Sequence, residues 1–324
     1  MKVITCFSYK GGAARTTAAA NISAALASIR EGVGSIQRPL GRKVALIDLD
    51  VFSAGTHRLF EIKSEDIQMH NPSIQDYLRE QMTPSDYVTA GGIQLSHPLM
   101  SGFRLSRGAA GNCHEGFTLF PAKPMPDERF FVQKQHENVL IELMVELERK
   151  SRGFDYVVLD GESGSRQMAD IAIRLADVVL VFFRLTWQHI EGTLNTCKED
   201  FQKRGLKRPF YLVPTCVPLV GDRDGVYLPE AEGLDELKYY TTAIPDADLN
   251  KYAGEFAEAD GKPGPGYLWA GKSTGGERVC IHESLCLKGV ERVVVYDDRA
   301  KRDRAAADYY QIAAEIDRLH PPAG

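Results

Sequence analysis

Short, almost unbroken apolar runs punctuate this chain: Val3-Ile4-Thr5-Cys6-Phe7, Val44-Ala45-Leu46-Ile47, Tyr156-Val157-Val158-Leu159, Val178 to Phe183, and Phe210 to Val213. Runs of this length without polar alternation predict strands buried on both faces. Between them, apolar residues return at helical spacing. Ile22, Ala25, Leu26 and Ile29 mark one side of a helix expected over 16–30, whose many alanines would let it lie close to a sheet. Val139, Leu140, Leu143, Met144 and Leu147 mark a second, and Met168, Ile171, Ala172 and Leu175 a third. A further helix is expected over 187–203, and a closing helix over 305–319 with Tyr309, Ile312, Ala313, Ile316 and Leu319 inward. Gly32, Gly34 and Gly153 read as stops, and Pro72 as part of the first turn of a helix near Asn71 to Leu78. Strands alternating with helices in this way predict an α/β fold: a doubly wound, mostly parallel sheet with helices on both faces.

Two stretches interrupt the alternation. Residues 96–116 are rich in Gly and Ser and carry Arg104 and Arg107, which predicts a surface loop with His97, Cys113 and His114 as solvated residues. Residues 217–277 are rich in Gly, Pro and acidic residues and predict a long insertion within a single domain spanning 1–324. That insertion reads either as a partner-contact surface or as a tolerated excursion. Glu291-Arg292-Val293-Val294-Val295-Tyr296 follows as an expected edge strand.

Composition narrows the functional classes. With 324 residues, 44% hydrophobic, 26% charged and a net charge of −5, the chain suits one large domain and lacks the balance of a surface that coats nucleic acid. A local basic stretch remains (Lys288, Arg292, Arg299, Lys301, Arg302 and Arg304), read either as a DNA-binding patch or, more commonly, as a solvated helix start. No apolar run approaches the roughly 20 residues of a membrane span, and Met1-Lys2 leads straight into a strand. The expectation is a cytoplasmic protein with no membrane partner. Six scattered cysteines suit reduced thiols, and Cys280-Ile281-His282 with Cys286 could hold a metal, although the irregular spacing disfavours that reading.

The chemistry gathers at strand ends. The first apolar run passes into Ser8-Tyr9-Lys10-Gly11-Gly12-Ala13-Ala14-Arg15-Thr16-Thr17, where paired glycines precede a helix start. A strand, tight loop and helix N-terminus present backbone N–H groups to an anion, which predicts a phosphate cradle. The second run ends in Asp48-Leu49-Asp50, and the Tyr156 run ends in Asp160-Gly161-Glu162-Ser163-Gly164. Carboxylates in these positions either serve a polar site or merely solvate strand ends, and Glu162 reads equally as a second carboxylate acting on water or as an exposed loop residue.

Lys10-Gly11-Gly12-x-x-Arg15-Thr16-Thr17 resembles the signature of the ParA/MinD family of P-loop ATPases, in its deviant form with a lysine before two glycines. Asp48-Leu49-Asp50, Phe120-Pro121-Ala122, Asp160 with Gly164, and Asp308-Tyr309 with Glu315-Ile316 extend the resemblance over both ends and most of the middle. Two positions depart from the family: Arg15 stands for the loop lysine and Ala14 for a glycine. The resemblance implies a three-layer P-loop fold that binds ATP with Mg²⁺. Gly11, Gly12, Ala13, Ala14, Arg15, Thr16 and Thr17 would hold the phosphates, and Thr215 would lie near the base where the family carries asparagine. Thr16, Asp48 and Asp160 would serve the metal, Asp50 would position water, and Lys10 would reach the nucleotide of a partner copy. The implied function is a homodimerising switch with weak ATPase activity serving an unknown protein partner. A catalytically inactive nucleotide-binding scaffold and an ATP-dependent DNA-partition protein are the alternatives. Arginine is a planar fork where lysine is a compact point charge, so turnover hangs on Arg15.

Overall fold

A computed structural model describes residues 1–28, 30–31, 38–39, 42–65, 67, 72–79, 82–96, 104–105, 116–123, 130–149, 153–164, 167–197, 209–217, 266–268, 280–284, 293 and 303–322. Strand β1 (Lys2–Phe7) feeds a loop and then helix α1 (Arg15–Ser28). A small antiparallel pair, β2 (Arg30–Glu31) and β3 (Arg38–Pro39), precedes β4 (Val44–Asp48). Three short helices follow, α2 (Thr56–Leu59), α3 (Ile74–Leu78) and α4 (Pro84–Ala90). The chain continues through β5 (Ile93–Ser96), β6 (Arg104–Leu105), β7 (Gly116–Phe120), α5 (His136–Glu148), β8 (Tyr156–Asp160) and α6 (Gln167–Leu175). It closes with β9 (Val178–Arg184), α7 (Trp187–Thr196), β10 (Phe210–Thr215), β11 (Gly266–Leu268) and α8 (Arg304–Leu319).

The main sheet has the order β11-β10-β9-β1-β8-β4-β7-β5-β6. Pairing is parallel from β11 to β7, and β5 and β6 add an antiparallel edge. The strand β5 and its partner β6 replace part of the loop expected over 96–116. The apolar runs behave as their pattern predicts: β4 and β8 are buried at every position. Because β8 lies between β1 and β4, the C-terminal ends of these three strands open side by side, with Cys6 opposite Asp160 and Asp160 opposite Asp48. Ends of parallel strands grouped in this way form the crevice where α/β sheets bind ligands.

Helix α1 departs from the one-sided pattern expected for it. Every residue from Ala18 to Ala27 is buried, because the helix lies between the sheet and α8. Alanine makes this close approach feasible, and the two polar residues inside satisfy themselves: the Asn21 side chain donates to Thr17 O and the Ser23 hydroxyl to Ala19 O. In α8, Tyr309, Ile312, Ala313 and Ile316 are buried as expected, whereas Leu319, at the end of the helix, is exposed. Pro72 also falls outside its helix, for Ser73 is the N-cap and forms a reciprocal capping box with Asp76.

Among the described residues no helix is long and apolar enough to cross a membrane. Gly32, Gly34, Asn71, His97, Arg107, Cys113, His114, Cys286, most of 217–277, and all of 291–296 except Val293 lie outside the described residues.

Candidate functional site

The loop between β1 and α1 is shaped by its backbone. Gly12 has φ +84°, a conformation that glycine adopts without strain, and Ala14 has φ +54°. A non-glycine residue in this left-handed region costs about 1–2 kcal/mol, so the loop holds a conformation that its own Ala14 disfavours. Neighbouring segments brace it. The Gly164 N–H donates to Ser8 O at 3.0 Å, and the Gly161 N–H to Cys6 O at 3.2 Å. Lys10, Gly11 and Gly12 are exposed, Thr16 and Thr17 half-buried, and Ala13 and Arg15 buried.

Arg15, the first residue of α1, turns its side chain inward. Its Nε donates to Asp160 Oδ1 at 2.7 Å, and its Nη2 to Asp50 Oδ2 at 2.8 Å and Thr16 Oγ1 at 3.3 Å. The side chain is 6% exposed, Asp160 0% and Asp50 13%, so these are largely desolvated ion pairs. Burial works against the Arg15 charge, and the adjacent Asp160 and Asp50 outweigh it, which keeps the guanidinium protonated beyond the ordinary arginine range.

The carboxylates are tied to one another through α2. The Thr56 hydroxyl donates to Asp160 Oδ2 at 3.2 Å, while the Thr56 N–H donates to Asp48 Oδ2 at 3.3 Å. Asp48 Oδ1 accepts from the Asp50 N–H at 3.1 Å, and Asp50 Oδ1 from the Ser53 N–H at 3.1 Å. Asp48 is wholly buried. Burial and the charge of Asp160 push its carboxyl up to about 7, against the opposing pull of its two N–H donors.

The structure thus brings Arg15, Thr16, Asp48, Asp50 and Asp160 into one cluster beside the loop. Thr215 also reaches the loop, but its hydroxyl donates to Ala13 O at 2.9 Å and Phe183 O at 3.1 Å, and the residue is fully buried. Lys10 stands apart from the carboxylates. Its Nζ donates to Gln188 Oε1 on α7 at 2.6 Å. Of the groups expected to receive Mg²⁺, Thr16 and Asp160 already meet the Arg15 guanidinium, whereas Asp48 accepts the N–H groups of Asp50 and Thr56, so a divalent cation between Thr16 and Asp160 would have to displace Arg15.

Several participants escape a reading by pattern. Thr56 sits in a segment with no apolar period, and only folding brings it between two aspartates. Gln188 and Gly192 on α7 meet the loop: a Cβ at Gly192 would lie 2.0 Å from the Tyr9 ring. Glu162 is buried at 2% exposure, which removes the exposed-loop reading. Of the basic stretch only Arg304 is described, and it pairs with Asp308 within α8 at 3.2 Å. Cys280 and His282 lie 3.8 Å apart, with His282 Nδ1 2.8 Å from Asp308, and no metal-holding group of His, Cys, Asp or Glu occurs among the described residues.

No curated protein matches by sequence. Among solved structures, the chain is similar to the cell division ATPase MinD of Pyrococcus furiosus, at 19% identity and TM-score 0.54, covering 98% of this chain and 99% of that one. It is similar to the pNOB8 ParA at 16% identity and TM-score 0.63, covering 98% of each chain. It is similar to an ATP complex of Cyanothece McdA at 13% identity and TM-score 0.56, covering 100% of this chain and 98% of that one. At these identities the likeness is one of fold. A family model described as an AAA domain, AAA_31, matches residues 1–208. That match spans the loop, both aspartate-ended strands and α7, and with it the chain belongs to this family, the ParA/MinD-like P-loop ATPases.

Proposed function

We propose that this chain is an ATP-binding switch whose two copies close on nucleotide and thereby act on a partner complex. The observation that carries this reading is the braced loop at the N-terminus of α1, set directly against the in-register pair Asp48 and Asp160. Backbone N–H groups from Gly12 to Thr17 would hold the phosphates, helped by the positive end of α1. Lys10 is exposed on the loop, so breaking one hydrogen bond to Gln188 frees it to reach a second copy. A cation supplied across a dimer would stabilise charge spreading over the transferred phosphoryl group. Closure would then assemble a surface that the nucleotide-free chain lacks, which is how a bound triphosphate becomes a signal.

Solved structures of similar fold include a MinC:MinD cell division complex and a putative plasmid partition protein bound to AMPPNP, which supports positioning or partition of a larger assembly as the setting. Light scattering after gel filtration tests the switch. A non-hydrolysable ATP analogue should convert monomer to dimer, and Lys10→Ala should prevent the conversion. A chain that stays monomeric at saturating analogue would refute it.

A second reading has its own support. Asp50, the residue that would orient attacking water, is held by Arg15 on one oxygen and by the Ser53 N–H on the other. In that state the protein holds nucleotide without turning it over and serves as a scaffold. Phosphate release separates the two readings, since the switch hydrolyses slowly and the scaffold not at all, with Asp50→Ala as the control.

A further inference from the structure

The three carboxylates at the ends of β4 and β8 have six oxygens, and each accepts a hydrogen bond from the protein. Asp160 takes Arg15 Nε and the Thr56 hydroxyl, Asp50 takes Arg15 Nη2 and the Ser53 N–H, and Asp48 takes the N–H groups of Asp50 and Thr56. The Thr16 hydroxyl oxygen accepts Arg15 Nη2 as well. One side chain therefore touches Thr16, Asp50 and Asp160 together, and it carries a fixed positive charge. A metal would have to displace a guanidinium held by two short, buried ion pairs. The displaced guanidinium, now buried against these carboxylates, would then need a new anionic partner. Arginine suits the place better than lysine, because its planar fork spreads donors over several acceptors at once.

We propose that Arg15 is the resident cation of this site, engaging Thr16 and Asp160, two of the three groups expected to receive a divalent metal, together with Asp50, so that a nucleoside triphosphate binds without a divalent metal. This rests on the nucleotide-binding reading above for its second half only. Nη1 of Arg15 has no acceptor among the described residues, and it is the part of the fork left for a phosphate oxygen. A hydrogen bond from this remaining nitrogen to a phosphate oxygen is charge-assisted.

Calorimetry with a non-hydrolysable ATP analogue, in EDTA and in excess Mg²⁺, tests the proposal. The wild-type affinity should change by less than about threefold between the two, whereas Arg15→Lys should become at least about tenfold weaker in EDTA. A wild-type chain that loses tenfold or more in EDTA, or an Arg15→Lys variant as indifferent to metal as the wild type, would overturn it. A nucleotide-free arm keeps the inference separate from the proposed function. Titrated with Mn²⁺ and followed by electron paramagnetic resonance, the wild type should leave the ion free, while a folded Arg15→Gln variant, checked by circular dichroism, should bind it. Mn²⁺ bound by the wild type and released by Asp160→Asn, or no Mn²⁺ bound by Arg15→Gln, counts against Arg15 as the occupant. If no nucleotide binds under either condition, the proposed function fails and the Mn²⁺ titration alone decides the first half.

Discussion

Ala14 and Asp48 show how much strain and electrostatic conflict single residues of this site carry. Ala14 sits at φ +54°, where its Cβ is disfavoured by about 1–2 kcal/mol. Glycine there removes that strain while loosening the unfolded chain by roughly 0.4–1 kcal/mol. Ala14→Gly should therefore raise stability by about 0.5–1 kcal/mol, read as a higher urea midpoint at unchanged slope. Asp48 carries a different conflict. Its folded pKa, about 7, lies above the ordinary aspartate value of 3.8, so the native state binds the extra proton between those values. Its stabilising contribution is complete below the lower value and is lost as pH rises through the upper one. Asp48→Asn should flatten the fall in stability between pH 4 and 7, which the single group steepens by at most about 1.4 kcal/mol per pH unit. Urea denaturation at several pH values measures the slope directly. The resemblance to the family pointed to both features, with Ala14 in a glycine's place and Asp48 beside Asp160, but the backbone angle at Ala14 and the burial of Asp48 came only with the structure.

At the scale of elements, α1 and α7 both border the loop. Helix α1 is buried all round, so a larger residue has nowhere to go. Ala25→Leu should cost about 1–3 kcal/mol through overpacking, visible as a lowered denaturation midpoint. Helix α7 meets the loop at two points, Lys10 on Gln188 and the Tyr9 ring over Gly192. Gly192→Ala should push the Tyr9 ring aside. Because that ring is 40% exposed and alanine favours a helix interior by about 1 kcal/mol, net stability should move by less than about 1 kcal/mol. The loop should nonetheless become more open to protease, and in a Tyr9→Ala background the same change should leave cleavage unaltered. Element boundaries were legible where the chain is strictly patterned: β4, β8 and β10 fall within a residue or two of their apolar runs. The all-round burial of α1 was not, because alanine counts as apolar on every face and its period is ambiguous.

At the scale of the whole molecule, α8 closes the structure from the far end of the chain. It covers α1, and its last turn ties back to the sheet through the Tyr156 hydroxyl on Asp317 at 2.7 Å and the Arg42 to Asp317 ion pair at 2.9 Å. The Tyr211 hydroxyl meets His320 Nε2 at 2.8 Å on the same side. Removing residues 304–324 should expose α1's alanine face and leave a chain that binds a hydrophobic dye and lacks a cooperative thermal transition. A truncated chain that still melts sharply would show that α1 needs no cover.

What the sequence by itself determined is the alternation of buried strands and helices, the loop of Lys10 to Thr17, and the aspartates that end two strands. Those are local properties: the period of apolar residues, the freedom of glycine, and the break where a core strand turns polar. What only the tertiary structure decided is where the charges go. Strand order sets Asp160 between β1 and Asp48, α2 brings Thr56 across both, and Arg15 turns inward to meet two carboxylates that lie 35 and 145 residues away along the chain. A pairing over such separations is settled by the parallel register of neighbouring strands, and the low-dielectric interior then makes a partner for each buried charge obligatory.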